Sequence, residues 1–203
     1  MQRTDERVRE VFDRRDAPGR ALADSAEVIA KTCHAMSERF RRGGRLFTFG
    51  NGGAATDAQH IAVEFVHPVI VGKRALPALS LTGDVATLTG VGASTGFDDV
   101  FAHQLRHFAE ADDIALGVSP GGGCADVLRG LATAKDRGLL TVALLGGDGG
   151  DIARAAVADH QVVVPSADPR VVKEVHVTTY HVLWELVHVF LERPGVLAPE
   201  VIT

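Results

Sequence analysis

His60 and Glu64 stand four residues apart in the segment TDAQHIAVEF. On a helix that spacing sets both side chains on one face. An imidazole beside a carboxylate can move a proton or hold a divalent metal. The same spacing also serves an ordinary surface ion pair, so it assigns no role by itself. Far along the chain, EVHVTTYHVLWELVH carries His176, His181, Glu185 and His188. At helical periodicity His181, Glu185 and His188 share a stripe, and His176 lies well round from it. A histidine on a packed helix is commonly a hydrogen-bonded core residue, and Tyr180 and Trp184 read as packing residues.

Directly before the His60 helix the chain reads LFTFGNGG, an apolar run leading into a glycine turn. About seventy residues later ALGVSPGGGC repeats the pattern, and LLGGDGG at 144–150 is a third, weaker instance. Glycines let backbone N–H groups converge on an anion at a helix start, where the peptide dipoles add partial positive charge. They also simply permit a tight strand-to-helix turn. The candidate anion contacts are Gly52 and Gly53 in the first turn and Gly121, Gly122 and Gly123 in the second.

These residues need a frame. The first 42 residues read as helical, with a break at DAPGR where Pro18 and Gly19 end one segment and open another. Short apolar runs follow at 45–49, 77–81, 113–118, 140–145 and 161–164, separated by alanine-rich helical stretches. Continuous apolar strands alternating with helices predict a parallel sheet covered on both faces, with the glycine turns at its carboxyl edge. A long last helix is expected to stop at Pro194-Gly195. Nothing inside 45–192 reads as a linker, so one domain spans 1–203, with an αβα core at 45–192 and a helical extension at 1–42.

Composition narrows the function class. Apolar residues make up 46% and charged residues 23%, an ordinary globular balance. The net charge of −5 argues against a nucleic-acid surface. The basic stretch SERFRRGGR (37–45) reads as a solvated helix end. Cys33 and Cys124 lie in no metal-binding pattern, which predicts reduced thiols and a cytoplasmic protein. No apolar run is long enough to span a membrane.

The motifs GNGG, DAQH with a glutamate four residues beyond its histidine, SPGGG, LLGGDGG and KEVHVTTYH, in that order, resemble the SIS (sugar isomerase) domain. Within it the chain resembles the phosphoheptose isomerases from about residue 20 to 192. The resemblance implies an α/β, three-layer αβα sandwich with a five-stranded parallel sheet, in homotetramers whose N-terminal helices pack together. It implies an aldose–ketose isomerase acting on sedoheptulose 7-phosphate through a cis-enediol, giving a D-glycero-D-manno-heptose 7-phosphate type product. Glu64 matches the base and His181 the acid, while His60 with Glu64 and His181 matches the residues that hold zinc in some members. Asn51, Gly52, Gly53, Ser119, Gly121, Gly122, Gly123, Cys124 and Lys173 match the substrate and phosphate positions.

The chain also departs from that pattern. Family loops typically read GNGGS and STSGNS, whereas this chain has GNGGA and SPGGGC, so Ala54, Pro120, Gly121, Gly123 and Cys124 replace hydrogen-bonding residues. Pro120 also removes a backbone donor. Gly92-Ala93-Ser94 replaces the family's Ala-Asn-Asp, and Lys173 stands where zinc-binding members have a glutamine ligand. An ammonium opposes a metal ion, but can bind phosphate or stabilise an enediolate. Two other readings are open on the sequence: a non-catalytic SIS protein that binds sugar phosphate or a protein partner, and a nucleotide-binding Rossmann domain using GNGGAA with Asp84 on a ribose.

Overall fold

The five apolar runs form five parallel strands: β1 Leu46–Gly50, β2 Ala78–Ser80, β3 Ile114–Ser119, β4 Leu140–Gly146 and β5 His160–Val164. The structure, a computed structural model, describes residues 2–193 and Gly195. Across the sheet the order is β2-β1-β3-β4-β5, with Leu46 level with Ile114 and Ile114 level with Leu140. Chain order therefore reverses between β1 and β3. In a doubly wound sheet that switch point opens a crevice at the carboxyl ends of the strands. The GNGG and SPGGG turns leave the two strands that flank it.

The helices among the described residues are α1 Gln2–Asp24, α2 Ala26–Arg41, α3 Gly53–Val66, α4 Val85–Ser94, α5 Val100–Phe108, α6 Ala125–Asp136, α7 Gly150–Arg154 and α8 Pro169–Glu192. Alternate strand residues feed two cores. Leu46, Ile114, Leu116, Val142 and Leu144 meet α2, α3 and α8 through Met36, Ile61, Phe65 and Leu183. Phe47, Phe49, Ala115, Ala143 and Leu145 meet α5, α6 and α7 through Phe101, Leu105, Leu131 and Ile152. Burial on both faces is why the strands read as continuous apolar runs instead of alternating ones. A side chain at Gly117 would meet Val127, Leu131 and Phe49, so the glycine sets how closely α6 approaches the sheet.

Two expectations are corrected. The N-terminal segment does not break at Pro18 and Gly19, because α1 runs through Pro18 to Asp24 before α2 begins. Proline removes one N–H and crowds one carbonyl, but the Pro18 ring is buried while its neighbours lie on the exposed side, where water can take the freed carbonyl. The basic stretch at 37–45 is a helix end with Arg41, Arg42 and Gly43 exposed, as expected, and it is also tethered. Arg42 Nε reaches Asp112 at 2.7 Å and Arg45 Nη2 reaches Asp113 at 2.8 Å, tying the end of α2 and the start of β1 to the approach of β3. The expected strand at 77–81 is cut to three residues at the sheet edge. The last helix ends at Glu192, and Pro194, expected to stop it, lies outside the described residues.

Candidate active site

α3 and α8 lie side by side and point the same way, in a constant register. Lys173 contacts Gly53, Tyr180 contacts His60 and Trp184 contacts Glu64, each pair 120 residues apart. Glycine at position 52, with φ +54°, turns the chain from β1 into α3. Asp168 caps α8 by accepting the Arg170 N–H, and Pro169 occupies the first turn, where it has no bond to lose. Because both helices start at the carboxyl edge of the sheet, residues from distant parts of the sequence meet along one seam.

Midway down that seam His60, Glu64 and His181 come together. Their ligand atoms all lie within 4.8 Å of one another. His60 Nε2 is 3.2 Å from Glu64 Oε1, and His181 Nε2 is 4.0 Å from the same oxygen. Glu64 is 8% exposed, while both imidazoles are half-exposed. His181 Nδ1–H donates to the Val177 carbonyl at 2.8 Å, which leaves its Nε2 facing the cluster. Trp184 Nε1–H donates to the Glu64 carbonyl at 2.8 Å and fixes the backbone that carries the carboxylate. The Tyr180 hydroxyl lies 2.8 Å from His60 Nδ1. Burial, with the Asp57 and Glu64 carboxylates adding to it, pushes the Tyr180 phenol up to about 12, so it remains a donor at neutral pH.

The other histidines of α8 do not join this cluster. His176 is buried, with Nε2 on the Leu145 carbonyl at 2.9 Å, and burial holds its imidazole below the usual range. His188, expected to share a stripe with His181, is buried instead and bridges the Trp184 and Arg74 carbonyls. Glu185 is exposed. Tyr180 and Trp184 are packing residues, as expected, and their polar atoms also reach His60 and Glu64. The spacing carried no sign of that second part, because the partner helix lies 120 residues away.

The two glycine turns present free amides. The N–H groups of Gly52, Gly53, Gly121, Gly123 and Cys124 meet no protein acceptor among the described residues. Gly122 N–H bonds Ser119 O, and Gly122 itself is buried. The Ser119 hydroxyl, at the end of β3, is buried without a partner among the described residues. The Asn51 side chain donates to both oxygens of Asp126 at 2.8 and 2.7 Å, and burial raises the Asp126 carboxyl above its ordinary range. Asp126 was not among the sequence candidates; its place just after the glycines of SPGGGCAD was the available signal. Lys173 sits at the first turn and not in the His–Glu–His cluster. Its Nζ bonds Asp57 Oδ1 at 2.6 Å, the Gly53 carbonyl at 2.9 Å and the Thr56 hydroxyl at 3.3 Å. Three partners use all three ammonium protons.

Gly92-Ala93-Ser94 closes α4, where the Ser94 hydroxyl bonds the Gly90 carbonyl. Asp84, read as a ribose contact in the Rossmann alternative, caps α4 through the Thr87 N–H at 3.1 Å and hydroxyl at 2.6 Å.

A sheet wound in this order, with open amides where it reverses, is the architecture of α/β proteins that bind their ligands at the switch point. A model of the SIS domain matches residues 15–146. The phosphoheptose isomerase of Pelobacter propionicus is 42% identical over 164 residues, covering 81% of this chain and 86% of that one. That of Solidesulfovibrio magneticus is 39% identical over 184 residues, covering 90% and 89%. Among solved structures, a phosphoheptose isomerase from Neisseria gonorrhoeae superposes with a TM-score of 0.83 at 30% identity, covering 91% of this chain and 98% of that one. The chain belongs to the SIS domain family, among the phosphoheptose isomerases.

Proposed function

We propose that this chain interconverts an open-chain ketose phosphate and its aldose phosphate, with sedoheptulose 7-phosphate as the ketose. The observation that carries the reading is the setting of Glu64. One carboxylate oxygen faces two imidazoles, while the other, Oε2, accepts no hydrogen bond among the described residues. Glu64 Oε2 takes the C1 proton. His181, protonated at Nε2, donates to O2 as the cis-enediol forms, then recovers a proton from O1. Glu64 returns its proton to C2. His60 holds the carboxylate in place throughout. Proton abstraction from carbon is slow in water, so a pre-positioned base and acid are where the catalytic gain lies.

The phosphate end fits the switch-point amides of Gly52, Gly53, Gly121, Gly123 and Cys124, with Ser119 and Asn51 beside them. Seven residues separate Gly53 from His60, about 10 Å along a helix, so the reacting carbons extend from the anion turn down α3. Lys173 adds positive charge at that turn, partly offset by Asp57. The His60, Glu64 and His181 donors match a divalent cation of the zinc type, which when bound would polarise the two oxygens of the enediolate. The Lys173 ammonium is bound at the start of α3 by Gly53, Thr56 and Asp57.

Single-domain organisation over 1–203 and a homotetramer complete the reading. The half-exposed cluster needs a covering surface to exclude water. Apolar Val8, Val11 and Phe12 stand exposed on α1 at helical spacing, within the 1–42 extension, and they suit packing against copies of the chain. Both thiols are free, and no described helix is long and apolar enough to cross a membrane; a cytoplasmic, metabolic setting fits both.

Incubation with sedoheptulose 7-phosphate in deuterated water tests the proposal. Deuterium is expected at C2 of the aldose, and Glu64→Gln should lower the rate by about 10²–10⁴-fold with the melting temperature and assembly unchanged. Turnover at the native rate in Glu64→Gln would reject Glu64 as the base.

A further inference from the structure

We infer that Tyr180 is a positioning residue of the active site, whose hydroxyl fixes the tautomer and ring angle of His60 and thereby aims Glu64. The inference rests on the isomerase reading for its kinetic consequence, but its structural core stands apart from substrate identity.

The logic is one of donors and acceptors. An ionised carboxylate only accepts hydrogen bonds. The 3.2 Å contact between His60 Nε2 and Glu64 Oε1 therefore requires the proton on Nε2. In a neutral imidazole Nδ1 is then a bare lone pair, and it needs a donor. The Tyr180 hydroxyl, 2.8 Å away, is that donor. For a neutral His60 in the metal-free protein, the chain Tyr180 O–H to Nδ1, Nε2–H to carboxylate is satisfied in one direction only. The rings add a second constraint: Tyr180 stands edge-on to His60 with centroids 5.2 Å apart and tilted against His181 at 4.9 Å. Tyr180 is itself 2% exposed and sits on α8 opposite His60 in the α3–α8 register. One side chain thus braces both imidazoles of the cluster.

Removing the hydroxyl would leave Nδ1 unpartnered. His60 can then flip, populate the other tautomer and withdraw its N–H from Glu64 Oε1. The carboxylate loses the bond that keeps Oε2 directed at the substrate. Phenylalanine preserves the ring and its packing, so the hydroxyl is the only group lost.

The test is Tyr180→Phe, read by ¹⁵N NMR of the imidazole nitrogens in the chelator-treated protein, with His60→Gln supplying the assignment. In the unmodified chain the neutral His60 imidazole should show a protonated Nε2 and a bare, hydrogen-bonded Nδ1. In Tyr180→Phe they should shift toward a tautomer mixture, and kcat should fall about tenfold or more with KM within twofold. Loss of thermal stability alone, with kcat and the His60 signals unchanged, would reduce Tyr180 to a packing residue and overturn the inference. A protonated Nδ1 in the unmodified protein would overturn it too, and that measurement needs no variant to fold. Absence of isomerase activity in the unmodified protein, with the His60 tautomer as stated, would instead count against the functional reading alone.

Discussion

Gly122 is the position where a single methyl group should do the most damage to the switch-point crevice. Its φ is +66°, and a Cβ there would overlap the Gly149 carbonyl and lie 2.7 Å from Gly150 N. The obstruction is backbone on both sides, because Gly150, itself at φ +56°, has the Gly121 and Gly122 oxygens within 2.7 Å of its own Cβ position. The Gly122 carbonyl also accepts the Ile152 N–H at 3.0 Å. The second and third glycine turns are therefore interlocked without any side chain between them. Holding alanine in the left-handed region costs roughly 1–2 kcal/mol. Parting the turns far enough to admit a methyl sacrifices the Ile152 bond, about 0.5–1.5 kcal/mol more.

Gly122→Ala should accordingly lose about 1.5–3.5 kcal/mol, which in a chain of this size lowers the melting temperature by roughly 3–14 °C. A displacement of about 1 Å in a substrate-positioning loop also costs up to about 10²-fold in rate. Gly121→Ala and Gly123→Ala are the controls. Neither residue has positive φ, and a methyl on either meets nothing within 4 Å, so both should melt close to the unmodified protein. Thermal melts of the three variants, followed by initial rates, make the comparison. If Gly122→Ala melts with the parent, or if all three fall together, the interlock is not what holds these turns. If Gly123→Ala melts normally but raises KM for a sugar phosphate, the open amides of that turn are the phosphate seat.

Lys173→Met should destabilise the protein by about 1–3 kcal/mol, because it strands the buried Asp57 carboxylate, whose Oδ2 has no partner among the described residues. Adding Asp57→Asn should recover part of the loss in a chemical-denaturation series, and no recovery would mean the pair is not coupled. Stability should also decline in alkali: burial raises the Cys33 thiol and the Tyr180 phenol, each to about 12. Groups raised by folding contribute fully below their unfolded values, about 9 and 10, and lose that contribution as pH climbs to 12. Denaturation midpoints should fall across that window and fall less steeply in Cys33→Ala, whereas a flat profile would contradict the burial of both groups.

The fold was readable because its physics is local and repetitive. A strand covered on two faces must be apolar at every position, and Leu46–Gly50, Ile114–Ser119 and Leu140–Gly146 are buried throughout. The glycine turns announced the strand-to-helix junctions by the same reasoning. What failed was a rule applied without its surroundings. Pro18 reads as a helix breaker, yet its buried ring is accommodated in α1. The short β2 was overextended because an edge strand has only one neighbour to define its length.

The site was half legible, for a geometric reason. Spacing within one helix shows which side chains share a face, so His60 and Glu64 could be paired from sequence, whereas nothing in either helix reports the register between them. That register decides which residue of α8 meets which residue of α3, and it brings Tyr180 to His60 and Trp184 to Glu64. It also sets the Lys173 ammonium on Gly53, Thr56 and Asp57, the residues just before His60 on α3. The residues that this register brings to His60 include a tyrosine whose contact is visible only in three dimensions.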